Sequence, residues 1–177
     1  SAVGDAFLRL SFIPLNHPGE HKTRPSVSIR LFSYSESKVE LDQLGLQPEV
    51  LEALDDAVRM PQGLILVAGP MNSGKSTTIA GAIGRHLDVF GESRKRVSVE
   101  DPIERFVGGV SQFNVPQVMR KSNGELVSDN ARFNQILRGL KRHDVNAFWI
   151  GEVRDAETAE FCANTSVSGH LVLSTIH

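Results

Sequence analysis

Between the apolar run Leu64–Ala68 and a helical segment over Thr77–Leu87 stand eight residues, Gly69, Pro70, Met71, Asn72, Ser73, Gly74, Lys75 and Ser76, that fit Gly-x-x-x-x-Gly-Lys-[Ser/Thr]. A strand that delivers such a loop, followed by a helix, aims backbone N–H groups and the positive helix end at phosphate oxygens. Lys75 then reaches the β- and γ-phosphates, the Ser76 hydroxyl can join the shell of a Mg²⁺ ion, and Thr77 continues the helix start. The bland alternative is a chance Gly/Ser-rich turn before a helix. Correct flanks on both sides favour the phosphate loop.

The loop implies an α/β chain, and the rest of the sequence agrees. From Gly63 onward short apolar strands alternate with helices: Leu64–Ala68, Thr77–Leu87, Arg96–Val99, Asn130–Leu140, Ala147–Ile150, Ala156–Ala163 and Leu171–Ser174. Such alternation predicts a mainly parallel sheet with helices on both faces. Phe133, Ile136, Leu137 and Leu140 share one face of the fourth segment, and Trp149 reads as sheet core. Upstream, Ala6–Ile13 and Ser26–Tyr34 alternate apolar and polar positions as two half-buried strands, joined by the turn-rich, cationic stretch 15–24. Leu41–Gly45 reads as a linker, and Pro48 opens an amphipathic helix. The expected division is a small β-containing module with its linker at 1–46 and a nucleotide-binding domain at 47–177. Phe106–Asn130 is ambiguous; Asn123–Gly124 signals a two-residue turn and a small surface hairpin.

Composition narrows the partners. With 177 residues, a formal charge of −2 and 23% charged residues, the chain is neither an acidic disordered tail nor a basic nucleic-acid binder, and no nucleic acid is expected. The one cysteine, Cys162, cannot pair within the chain and reads as helix packing. No apolar run approaches the roughly 20 residues of a membrane span, so membrane association is expected to be peripheral. The chain starts at Ser1 and stops at His177, directly after a strand-like run, and is read as a piece of a longer protein.

In parallel sheets ligands sit beyond the carboxyl ends of strands, which makes the residues after each apolar run the candidates. They are the loop itself, then Glu100, Asp101 and Glu104, then Gly151 and Glu152, then His177. Carboxylates and a histidine around a phosphate cradle suit Mg²⁺-dependent cleavage of a terminal phosphate. Competing readings stay open for several: Asp101 can cap a turn, Glu104 can be a surface charge, Asp155 can be a helix N-cap, and His170 with His177 can be a metal pair. Arg9 and Arg30, by spacing alone, are solvated strand charges. His17, His21, His86 and His143 read as surface residues.

Taken together, the loop with Ser76-Thr77-Thr78, the acidic box Val97–Arg105 (VSVEDPIER), the motif Gly151–Glu160 (GEVRDAETAE) and the histidine box Ser168–His177 (SGHLVLSTIH) resemble the secretion ATPase superfamily of type II secretion, type IV pili and type IV secretion. The resemblance covers nearly the whole chain. It implies a RecA-like P-loop core, truncated at its C-terminus, behind the end of a small N-terminal domain. By the same resemblance, Glu100 polarises the attacking water, Asp101 and Glu104 hold the site's geometry, and Glu152 positions Mg²⁺ through water. His170 and His177 match the two box histidines, the latter near the terminal phosphate. Arg9 and Arg30 match cations that reach the nucleotide of a neighbouring subunit.

What the resemblance implies as a whole is ATP and Mg²⁺ as ligands, a homo-hexameric ring, an inner-membrane platform protein as partner, and a cytoplasmic location peripheral to the inner membrane. A non-hydrolysing assembly subunit of the same machinery is the alternative, and a small-molecule phosphoryl transferase a third reading. Departures from the family pattern are Met71 and Asn72 in place of Thr-Gly, residues inserted at Lys22–Pro25, Asn146 and Trp149 at the second acidic strand, and a longer Phe106–Asn130. Asn tolerates the left-handed backbone that Gly would adopt, so the loop is expected to keep its shape.

Overall fold

The computed structural model describes residues 6–15, 24–33, 38–116 and 118–177. Contacts divide the chain into two units, Ser1–Glu36 with Glu104–Phe106, and Ser37–Ile103 with Val107–His177. In the first, β1 (Ala6–Leu15) and β2 (Arg24–Ser33) pair antiparallel with Arg9 opposite Arg30 in the backbone register. The cationic connection expected between them lies outside the described residues, as do the side chains of Arg9 and Arg30.

The second unit is the expected parallel sheet, with strand order β3 (Gly63–Ala68), β7 (Leu171–Ile176), β6 (Ala147–Ile150), β4 (Arg96–Glu100), β5 (Ser111–Asn114). Side chains alternate across each strand, so the inner strands β6 and β7 feed two cores. Val97, Val99, Phe148, Ile150 and Val172 pack with α3 (Asp129–Leu140) and α4 (Ala156–Val167) through Phe133, Leu137, Leu140, Phe161 and Cys162. Ala147, Trp149, Leu171 and Leu173 pack on the other face with Val58 of α1 (Pro48–Arg59) and Ile79, Ala80, Ala82 and Ile83 of α2 (Lys75–Phe90). Each large apolar side chain buried here contributes roughly 1.5–3 kcal/mol. β6 and β7, covered on both faces, read as short continuous apolar runs, whereas β3 is an apolar run that leaves Leu64 and Leu66 exposed on one face.

Two expectations need correction, for Leu41–Gly45 and His86, and the ambiguous stretch resolves. Leu41–Gly45 is not a free linker: Leu41–Gln43 forms a 3₁₀ turn, Leu41 is buried, and Val39, Leu44 and Leu46 pack into the α1/α2 core. The ambiguous stretch contributes a strand, β5, ahead of the hairpin, whose Asn123–Gly124 turn is closed by the Arg120–Leu126 bridge and by Val127 N–H donating to Met119 O. His86 is not on the surface. It is 3% exposed on the inner side of α2, and its Nδ1 accepts from Arg96 Nε at 2.9 Å. Arg96, 2% exposed, also donates to His86 O (3.1 Å), Gly91 O (2.8 Å) and Arg94 O (2.8 Å), so a buried guanidinium ties off the carbonyl end of α2. Among the described residues no helix is long and apolar enough to cross a membrane.

Candidate functional site

The loop Gly69–Ser76 leaves β3 and turns into α2, as its flanks predict. Asn72 adopts φ 62°, the left-handed conformation anticipated for it, and Gly74, at φ 89°, forms the N-cap of α2. A side chain at Gly74 would strain that turn. No side chain caps α2, so its N-terminal N–H groups face the loop without a side-chain acceptor. Lys75 is 8% exposed and donates from Nζ to Gly69 O and Pro70 O at 2.8 Å each. Ser73 Oγ donates to Pro70 O at 2.8 Å, and Thr78 Oγ1 to Gly74 O at 3.1 Å. Met71, Asn72 and Ser76 are exposed, while Thr77 is half-buried. N–H groups at the start of a helix that no side chain caps suit an anion, and Ser76 stands exposed at the second helical position.

The parallel register sets where the carboxylates emerge. Val99, Ile150, Ser174 and Leu66 form one row across four strands, so Glu100, Gly151, Thr175 and Val67 form the next, two residues short of Gly69. Strand spacings place β6 about 10 Å and β4 about 14 Å from the loop strand. Val99 packs toward α3 and α4, so alternation sends the Glu100 side chain to the α2 face, the side on which the loop's helix lies. Glu100 is 4% exposed, and its Oε1 accepts from Ser98 Oγ at 2.5 Å and Gln112 Nε2 at 2.9 Å. Gly151 allows the two acidic strand ends to meet. A Cβ there would lie 3.3 Å from Val99 O and 3.4 Å from Glu100 Cα.

Beyond this row an ionic chain crosses the strand ends. Asp101 Oδ2 accepts from Arg154 Nη1 at 3.0 Å, and Asp101 O from Arg154 Nη2 at 3.3 Å. Arg154 Nε lies 2.6 Å from Glu152 Oε1, out of line for a hydrogen bond, which makes it a charge contact. Glu152 Oε2 is 3.6 Å from His177 Nε2. His177 adjoins the loop because Gly69 N–H donates to Ile176 O. Phosphate loop, His177, Glu152, Arg154 and Asp101 are therefore contiguous, and Glu100 precedes Asp101 directly.

Other candidates fall elsewhere. His170 immediately precedes β7, at the opposite end of the strands from the loop, where Gly63 N–H donates to its carbonyl; it is a strand length, about 20 Å, from His177. Its Nδ1 contacts Thr165 O at 3.2 Å and its ring packs edge-on against Phe148, so it buttresses the α4–β7 turn, and the two histidines form no metal pair. Glu104 belongs to the same unit as β1 and β2. Asp155 is the N-cap of α4, accepting from Thr158 N at 2.8 Å and Thr158 Oγ1 at 2.7 Å, and those bonds hold its carboxyl below the usual range. Burial pushes the Cys162 thiol up to about 11, which removes it as a nucleophile. The motifs did not single out Arg154, Ser98 or Gln112. For Arg154 a signal existed: it is the one cation in the stretch Glu152–Glu160.

The family described as Type II/IV secretion system protein matches residues 3–177. The type II secretion system protein HxcR of Pseudomonas aeruginosa is 38% identical over 174 residues, covering 96% of this chain and 32% of that protein. The type II secretion system ATPase E of Vibrio cholerae is 33% identical over 171 residues, covering 96% of this chain and 30% of that one. The chain thus spans about a third of the length of these curated relatives. Among solved structures, the pilus retraction motor PilT with bound ADP superposes with a TM-score of 0.66 at 29% identity, over 96% of this chain and 47% of that one. The Legionella pneumophila ATPase DotB superposes with a TM-score of 0.71 at 22% identity, over 96% and 43%, a likeness of fold.

Proposed function

Since this chain belongs to the type II/IV secretion system protein family, we propose that it carries the nucleotide site of a Mg²⁺-dependent ATPase, whose hydrolysis drives a ring-shaped motor of secretion or of pilus extension and retraction. The observation behind this reading is the unbroken run from the phosphate loop through His177, Glu152 and Arg154 to Asp101, assembled from four strand ends. Lys75 and the N–H groups at the start of α2 would hold the β- and γ-phosphates, Lys75 exchanging its two loop carbonyls for phosphate oxygens. Ser76 and, through water, Glu152 would hold Mg²⁺. The ion, when bound, offsets charge that develops on the phosphates. Glu100, held by Ser98 and Gln112, orients the attacking water. Arg9 and Arg30 enter as the cations that a neighbouring copy supplies, which makes turnover depend on a homo-hexameric ring; a finger in trans is worth roughly 10³–10⁵ in rate. A cytoplasmic position against an inner-membrane platform protein completes the proposal.

Steady-state phosphate release from ATP by the intact protein, compared with its Glu100→Gln variant, tests it. A loss of about 10²-fold or more with nucleotide binding retained is expected. Equal rates would remove Glu100 from its role, and no release under ring-forming conditions would leave a nucleotide-binding assembly subunit.

A further inference from the structure

Arg154 sits at the middle of the ionic chain, between Glu152 and Asp101, and the reading above gives it no task. Two of its nitrogens are spent on a single anchor: Nη1 on Asp101 Oδ2 at 3.0 Å and Nη2 on Asp101 O at 3.3 Å. That anchor side chain is 8% exposed, while Arg154 is 23% and Glu152 33% exposed. The guanidinium carbon lies 5.3 Å from the ring centroid of Phe133, which closes one face of the planar group. A guanidinium held on one edge by a buried carboxylate and on one face by an aromatic ring has few orientations left. Its remaining edge, at Nε, meets Glu152 Oε1 at 2.6 Å. Glu152 itself follows a strand end and is partly open to solvent, so its own packing leaves it rotameric freedom. The contacts that limit it are Arg154 on one oxygen and His177, at 3.6 Å, on the other.

We propose that Arg154 is the positioning residue of this site: it fixes the carboxylate of Glu152 where a hydrated divalent cation is to be held, and Asp101 acts through Arg154 instead of on the nucleotide. The inference rests on the nucleotide-hydrolase reading and deepens it by dividing the acidic residues into one that faces the metal's water, Glu152, and one that holds the arm, Asp101. Arginine suits the task because its guanidinium spends Nη1 and Nη2 on Asp101 and still carries charge at Nε, 2.6 Å from Glu152 Oε1. A lysine ammonium can satisfy Asp101 or Glu152 at one point, but it cannot hold both in a set orientation.

The test uses the intact protein and the variants Arg154→Gln, Arg154→Lys, Asp101→Asn and Arg154→Gln/Asp101→Asn. Affinity for a fluorescent ADP analogue is measured in EDTA and in Mg²⁺, beside kcat, KM and the Mg²⁺ concentration for half-maximal turnover. Arg154→Gln is expected to leave affinity in EDTA within about twofold, to cut the Mg²⁺-dependent gain in affinity and kcat by about 10- to 100-fold, and to move KM little. Asp101→Asn should share that signature, and the double variant should be no worse than either single one within about twofold. Arg154→Lys should recover only part of the loss. Multiplying losses in the double variant, an equal loss of affinity in EDTA, full rescue by Lys, or Mg²⁺ dependence left unchanged would each overturn the proposal. If Arg154→Gln does not fold, Arg154→Lys and Asp101→Asn still decide it. A wild type that binds the Mg²⁺ complex without turnover would refute the hydrolase reading alone, because the Mg²⁺-dependent gain in affinity still measures Arg154.

Discussion

The buried pair of His86 and Arg96 predicts how this domain responds to acid. His86 Nδ1 accepts from Arg96 Nε, so the imidazole must be neutral there, and protonation would set two cations 2.9 Å apart. Burial first, then the charges of Arg96 and Arg94, lower its pKa from 6.5 to about 4. A depressed histidine means that the unfolded chain binds the extra proton more readily. Stability contributed by the neutral ring is therefore complete above about pH 6.5, falls as pH drops below that value, and stops falling once the folded form also protonates near pH 4. The linkage relation gives a loss of roughly 2 kcal/mol by pH 5 and about 3 kcal/mol by pH 4. The control is His86→Asn, whose amide oxygen can replace Nδ1 as acceptor without titrating. Urea denaturation of both proteins at several pH values between 7 and 4 isolates the term, since Asp55 and Asp155, both depressed, lose their contributions only below the ordinary carboxylate range. With a urea m-value of about 2 kcal/mol/M, the wild-type midpoint should fall by about 1 M more than the variant's between pH 7 and pH 5. Parallel midpoints across that interval would show that His86 does not titrate in this window and that the reasoning from its burial fails.

Other outcomes follow from the same geometry. Gly151→Ala places a methyl 3.3 Å from Val99 O and 3.4 Å from Glu100 Cα, both backbone atoms, so phosphate release should fall by more than the melting temperature would imply. Asp155→Ala removes the cap of α4 and should cost about 1 kcal/mol in urea melts at pH 7, a difference that shrinks as pH falls below the carboxylate range. Trp149→Ala hollows the α1/α2 core at a side chain 3% exposed and should cost about 3–5 kcal/mol by the same measurement.

The contrast between what was legible in the sequence and what was not has a physical basis. The phosphate loop, the Asp155 cap and the Asn123–Gly124 turn are local, each determined by backbone conformations a few residues apart, and all three were legible. So were the covered strands, because burial on both faces leaves short unbroken apolar runs. Polarity alone sends His86 to the surface, although Ile79, Ile83 and His86 fall at helical spacing and put it on the inner face of α2. Its partner, ten residues on, starts a strand, and no periodicity reports an arginine that satisfies helix carbonyls. His170 fits by likeness of motif; the register of β3 and β7 puts the six residues of β7 between it and the loop. Arg154 was passed over because its partners, Asp101 and Phe133, become neighbours only when β4, β6 and α3 pack, a long-range fact that no local pattern holds.

Lys75 deserves one last consideration for anyone who mutates it. Its ammonium bridges the carbonyls of Gly69 and Pro70, so the same side chain that would meet an anion also braces the curve of the loop. An alanine there deletes the ligand's counter-charge and slackens the ring of amides at one stroke. Silence from such a variant would report on shape as much as on charge, and an ornithine analogue, one methylene shorter with its charge intact, would tell the two apart.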